Sequence, residues 1–73
     1  MKLIFEGVYA GTRQTAKGFV YTWATQVGIL NVYSERLFEI APMTAARWEL
    51  DCRPGRYGLV VDMIRGSNLN GKE

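Results

Sequence analysis

A chain of 73 residues, 48% hydrophobic and 22% charged, with two Trp, four Tyr and three Phe, is enough for one folded domain and too short for two. Its net charge of +2, nine Lys and Arg against seven Asp and Glu, is too small to impose an anionic partner, so the placement of charge matters more than its total. The absence of His and the presence of a single Cys exclude Ser-His and Cys-His catalysis, an intrachain disulfide and a structural zinc site.

Met1-Lys2-Leu3-Ile4-Phe5 opens as a short apolar run that Glu6 and Gly7 end. It falls short of the ~7–15 apolar residues of a signal peptide, and nothing approaches the ~20 of a membrane span. The expectation is a soluble, cytoplasmic protein, with Cys52 as a small buried apolar residue.

Residues 3–13 read as a long first strand, in which Gly7 and Gly11 mark positions for a bulge or bend, as a small barrel needs to turn its corner. Thr15-Ala16-Lys17-Gly18 supplies a turn. Residues 19–30 follow as a second strand, with Phe19, Tyr21 and Trp23 on one face and Val20, Thr22, Ala24 and Gln26 on the other, and a bend at Gly28. Residues 30–40 hold further strand, interrupted at Ser34-Glu35-Arg36. Pro42 would suit the first position of a single helical turn over residues 42–46.

From 47 to 53 alternation is complete: Trp48, Leu50 and Cys52 share one face, Arg47, Glu49, Asp51 and Arg53 the other. Arg53-Pro54-Gly55-Arg56 has the order of a type II turn, leading into a strand over 57–65 with Tyr57, Leu59, Val61 and Met63 on one face. Residues 66–73 read as a polar tail. About five strands with tight turns point to an all-β fold, a small five-stranded OB-like barrel over residues 1–65 with β-hairpin protrusions.

The carboxylates Glu35, Glu39, Glu49, Asp51 and Asp62 mostly alternate with apolar strand residues and read as a solvated face rather than an acid/base pair. Gly55-Arg56-Tyr57-Gly58 lacks the spacing and Lys of a phosphate-cradling loop. The chain therefore reads as a binding protein rather than an enzyme, needing no metal and no cofactor. Arg13 and Lys17 flank one turn, Tyr21 and Trp23 follow it on alternate positions, and Arg53 and Arg56 cap a second turn. Cations beside aromatic faces are what a single-stranded nucleic acid requires, phosphates against the first and bases stacked on the second.

Thr12-Arg13-Gln14-Thr15-Ala16-Lys17-Gly18-Phe19-Val20-Tyr21-Thr22 resembles the basic hairpin of the single-stranded DNA-binding (helix-destabilising) proteins of filamentous bacteriophages, and Pro54-Gly55-Arg56-Tyr57 resembles that family's Pro-Gly-x-Tyr turn. The resemblance implies an OB-type barrel, a symmetric dimer, and coating of single strands during phage replication without sequence choice. It assigns Arg13 and Lys17 to phosphates, Tyr21 to stacking or support of the hairpin, and Tyr57 to structure. A short final element would leave a sheet edge to be covered, and Leu59, Val61 and Met63 are the expected seam of a homodimer. The rival reading is an SH3-like barrel acting as a protein-interaction or regulatory module of a phage or mobile element, and RNA stands beside DNA as a ligand.

Overall fold

Inward and outward residues alternate along five strands in the computed structural model, which describes residues 1–56 and 58–68. They are β1 (Lys2–Thr15), β2 (Gly18–Thr25), β3 (Gly28–Ser34), β4 (Thr44–Gly55) and β5 (Gly58–Asn68). Pairing runs β1-β2-β3-β5-β4 and returns to β1, closing an OB-like barrel. Neighbours are antiparallel except β3 and β5, which meet in parallel through Tyr33 and Val60.

Closure depends on β1 serving two partners. Lys2 to Tyr9 pairs with β4, and Gly7 to Thr15 pairs with β2. The strand bends where the two ladders overlap, at the glycines the sequence marks. A side chain on Gly7 would stand 2.6 Å from the Ala24 carbonyl oxygen, and the register slips between Tyr9 and Gly11, the latter at φ 145°.

Residues 19–30 are two strands and not one. The chain reverses at Gln26-Val27, where Thr25 Oγ1 donates to the Gly28 carbonyl at 2.8 Å and accepts from Val27 N–H at 3.2 Å. Thr15 does the same at the first hairpin, donating to Gly18 at 3.1 Å and accepting from Lys17 N–H at 3.4 Å. The hydroxyl two residues before each loop residue it binds is a local turn device, and Thr-x-x-Gly is its signature.

Beyond Ser34 the expected strand does not continue, and no helical turn forms at 42–46. Phe38 and Ile40 pack against the core, held by Tyr21, whose hydroxyl donates to the Arg36 carbonyl (2.8 Å) and accepts from Phe38 N–H (2.7 Å). Met43 takes a φ of 64° and gives its N–H to the Tyr9 carbonyl at 2.7 Å, and Thr44 Oγ1 donates to Ala41 at 2.6 Å. A left-handed Met43 cannot sit in a right-handed helical turn, and Thr44, Ala45 and Ala46 pair instead with Tyr9, Val8 and Gly7 of β1.

The β4–β5 reversal also falls later than expected. Pro54 and Gly55 stay paired, to Leu59 and Gly58, and the chain turns between Gly55 and Gly58. Further along, Asp51 pairs with Met63 but Cys52 with Val61, leaving Asp62 as an extra residue. That bulge reverses the alternation, so Val61 and then Ile64 face the core while Met63 lies at the surface. Leu59, Val61 and Met63 therefore do not form the one exposed seam expected of them: Val61 is core, Leu59 packs against the core, and Met63 alone of the three is exposed. Gly66, Ser67 and Asn68 belong to β5, paired with Trp48, Arg47 and Ala46, so the barrel extends past residue 65. Tyr57 and the last five tail positions lie outside the described residues.

Trp23 is the centre of the core, within 5.4–5.7 Å of the rings of Tyr9, Trp48 and Phe5. Trp48 Nε1–H donates to the Gly7 carbonyl at 3.0 Å, tying β4 to the bend of β1. The alternation expected for Trp48, Leu50 and Cys52 is observed, all three buried. Burial pushes the Cys52 thiol and the Tyr9 phenol above their usual pKa ranges, with Tyr21 adding to the effect on Tyr9. Among the described residues no helix is long and apolar enough to cross a membrane.

Candidate nucleic-acid interface

Two of the expected contact residues face the wrong way for the role. Tyr21 and Trp23 are fully buried, 0% exposed, and offer no ring face to a base. The error lies in direction: β2 alternates as read, but closure turns the Tyr21/Trp23 side inward against Val32 and Leu30 of β3. Tyr21 supports the Arg36–Phe38 segment instead.

The opposite side of the same strands forms a continuous outward row. Arg13 on β1 stands opposite Val20 on β2, Val20 opposite Tyr33 on β3, Tyr33 opposite Val60 on β5, and Val60 opposite Arg53 on β4. At strand spacings of ~4.8 Å the row runs about 19 Å along the sheet, an aromatic ring at its middle and a guanidinium at each end. Val20 is buried although it lies outside the core cluster. Tyr33 is 38% exposed. Beside the row, Thr22 Oγ1 donates to Asn31 Oδ1 at 2.7 Å, leaving a polar strip on β2 and β3.

Both hairpin loops converge on this ring. A hollow of about 200 Å³ is lined by Lys17 from the β1–β2 turn, by Tyr33 and the carboxylate-bearing Glu35, and by Arg53, Arg56 and Val60 from the β4–β5 hairpin. Residues distant in sequence thus meet at Tyr33. Lys17 also lies beside Tyr33 on the other flank, with Thr15 and Ala16.

The charges here differ in state. Arg13 and Arg56 are exposed and, among the described residues, form no ion pair. Arg53 is held by Asp62, Nε to Oδ2 at 3.2 Å. Sequence reading brought Arg13, Lys17, Arg53 and Arg56 forward but missed Tyr33. The available signal was phase: Leu30, Val32 and Ser34 alternate with Ile29, Asn31 and Tyr33, and the first set is the more buried.

Comparison with protein-family models, curated proteins and solved structures finds no match to this chain.

Proposed function

We propose that this barrel binds single-stranded nucleic acid, DNA first, without sequence choice. In this reading Arg13, Lys17, Arg53 and Arg56 neutralise phosphates and Tyr33 stacks on a base. The observation that carries it is the outward row Arg13–Val20–Tyr33–Val60–Arg53 with a basic residue of each flanking hairpin brought beside the ring. OB-type barrels bind oligonucleotides or oligosaccharides on the face of strands 2 and 3 and through the loops joining strands 1–2 and 4–5. The cations favour the polyanion of these two ligand types. The resemblance of Thr12–Thr22 and of Pro54–Tyr57 to phage single-strand-binding proteins supports the same reading, and coating of single strands during phage replication belongs to the proposal.

Anisotropy of end-labelled oligo-dT tests it better than tryptophan emission, because Trp23 and Trp48 are both buried. Log affinity is expected to fall against log salt with a slope of roughly −0.7 per phosphate neutralised, and duplex of equal length to bind more weakly. A flat salt response, or equal affinity for duplex, overturns the proposal.

A further inference from the structure

β3 and β5 close the barrel, and among the described residues one pair, Tyr33 with Val60, joins them. The hairpins fix which groups make that joint. The β2–β3 and β4–β5 hairpins each turn in two residues, so their closing pairs, Thr25 with Gly28 and Gly55 with Gly58, exchange both backbone bonds. Bonded pairs recur at every second position along each ladder. Val32 therefore turns its N–H and C=O to β2, Val60 turns its own to β4, and Tyr33 is left facing Leu59 and Val61 across the gap. In the parallel pairing Tyr33 N–H donates to the Leu59 carbonyl, and Val61 N–H donates to the Tyr33 carbonyl. The barrel is latched by two backbone bonds of one residue, fewer than join any other neighbouring strands among the described residues.

The rest of the barrel is two sheets that share β1. From Lys2 to Tyr9 the strand lies with β4 and β5, and from Gly7 to Thr15 it lies with β2 and β3. Between the two stretches fall the register slip at Tyr9–Gly11 and the φ of 145° at Gly11, which make the bend. The cations of the outward row are divided the same way. Arg13 and Lys17 belong to the β1–β2 hairpin, Arg53 and Arg56 to the β4–β5 hairpin, and Tyr33 stands at the lip between them. Segments held by few backbone bonds open locally, at lower free energy than the whole molecule unfolds. Val32 and Val61, one on each lip, are buried, so opening uncovers core and the open form is a minor one. We propose that the Tyr33 latch opens in the free chain and that a single strand lying along the row holds it shut. The inference rests on the nucleic-acid reading. A ligand shifts an equilibrium only by its difference in affinity for the two states, and here the difference is geometric. Closed, the barrel sets both pairs of cations along one path of about 19 Å. Open, a strand that keeps Arg13 and Lys17 loses Arg53 and Arg56. Closure and affinity are thereby linked in both directions.

Amide hydrogen exchange of the full chain, followed residue by residue with and without saturating oligo-dT, tests this. The reference amides are Trp48 and Leu50. Met1 and Cys52 exchange both backbone bonds, so by alternation Leu50 bonds Leu3 and Trp48 bonds Phe5 within the β1–β4 ladder. In the free chain the Tyr33 and Val61 amides should exchange about tenfold faster than these or more. Saturating oligo-dT should slow Tyr33 and Val61 about tenfold or more. The double variant Arg53→Ala/Arg56→Ala, saturated with oligo-dT, keeps the contacts of the first hairpin only and should lose most of that slowing, which shielding by a base stacked on Tyr33 would preserve. Where the double variant does not saturate, Arg56→Ala alone should lose part of it. Three results overturn the inference and leave the nucleic-acid reading standing: Tyr33 and Val61 exchanging as slowly as Trp48 and Leu50 in the free chain, oligo-dT binding without added protection, or full protection in the variants. Failure of oligo-dT to bind the wild-type chain overturns both.

Discussion

The barrel has two outer faces that both carry cations and hold them differently. On the face built by the start of β1 with β4 and β5, Lys2 meets Glu49 at 3.0 Å, Arg65 meets the same carboxylate at 3.7 Å, and Arg47 meets Glu6 at 3.8 Å. Around Tyr33, Arg13 and Arg56 have no such partner among the described residues, and Arg53 has only Asp62. Exposed ion pairs contribute roughly 0–1 kcal/mol each, so neither pattern is explained by stability. The difference lies in availability: a cation already facing a carboxylate gains little from a phosphate, and one facing solvent gains more. A net charge of +2 conceals this, because it averages a neutralised face with a basic one.

Both faces are lost together when the core they share is damaged. Trp23→Ala should cost about 3–5 kcal/mol in urea unfolding, a large part of what so small a domain has, and abolish binding through loss of the fold. Trp23→Phe keeps a ring among Tyr9, Phe5 and Trp48 and should bind oligo-dT unchanged. A folded Trp23→Phe that binds poorly would return Trp23 to the contact surface and refute its assignment to the core.

Tyr33→Ala comes next. Loss of one stacked base should cost about 1–3 kcal/mol of affinity for oligo-dT with little change in melting temperature. Unaltered binding would remove the ring from the interface and leave a purely electrostatic surface.

Charge removal sharpens the contrast between the faces. Arg13→Ala and Arg56→Ala should each reduce the salt slope by about 0.7, whereas Arg47→Ala and Arg65→Ala should leave it as it is. Equal losses from both faces would mean that total charge governs binding and its placement does not. The smallest effect belongs to Asp62→Asn, which releases Arg53 from its carboxylate. Affinity at low salt should rise by no more than about 1 kcal/mol, and the gain should vanish at high salt.

Much of the fold is legible because strands and tight turns are local. Alternation from Arg47 to Arg53, the bend glycines of β1 and the Thr15–Gly18 turn all follow from steric preference within a few residues. The second hairpin was legible too, since Thr25-Gln26-Val27-Gly28 repeats the spacing of Thr15-Ala16-Lys17-Gly18, but a following Ile and Leu make an unbroken strand equally consistent with composition. The helical turn at 42–46 fails for a non-local reason: Thr44, Ala45 and Ala46 are drawn into strand pairing with Tyr9, Val8 and Gly7, far away in sequence.

Alternation and turn residues are enough to make this chain a set of two-faced strands and to put four of its nine Lys and Arg, Arg13, Lys17, Arg53 and Arg56, beside two turns. Which face lies inside was settled by tertiary pairing. Tyr21, Trp23 and Tyr33 are all aromatic residues at alternating strand positions, chemically alike and equally able to bury or to stack. The β2–β3 register, which pairs Tyr21 with Val32 and Trp23 with Leu30, commits one face of the pair to the interior as the barrel closes, and Tyr33, one residue out of phase with Val32, is carried to the surface. In the same way the bulge at Asp62 sends Val61 in and Met63 out. A residue's periodicity is a local property, but the side of a sheet that meets the core is settled by which distant strands pair, and that is where sequence reading ended.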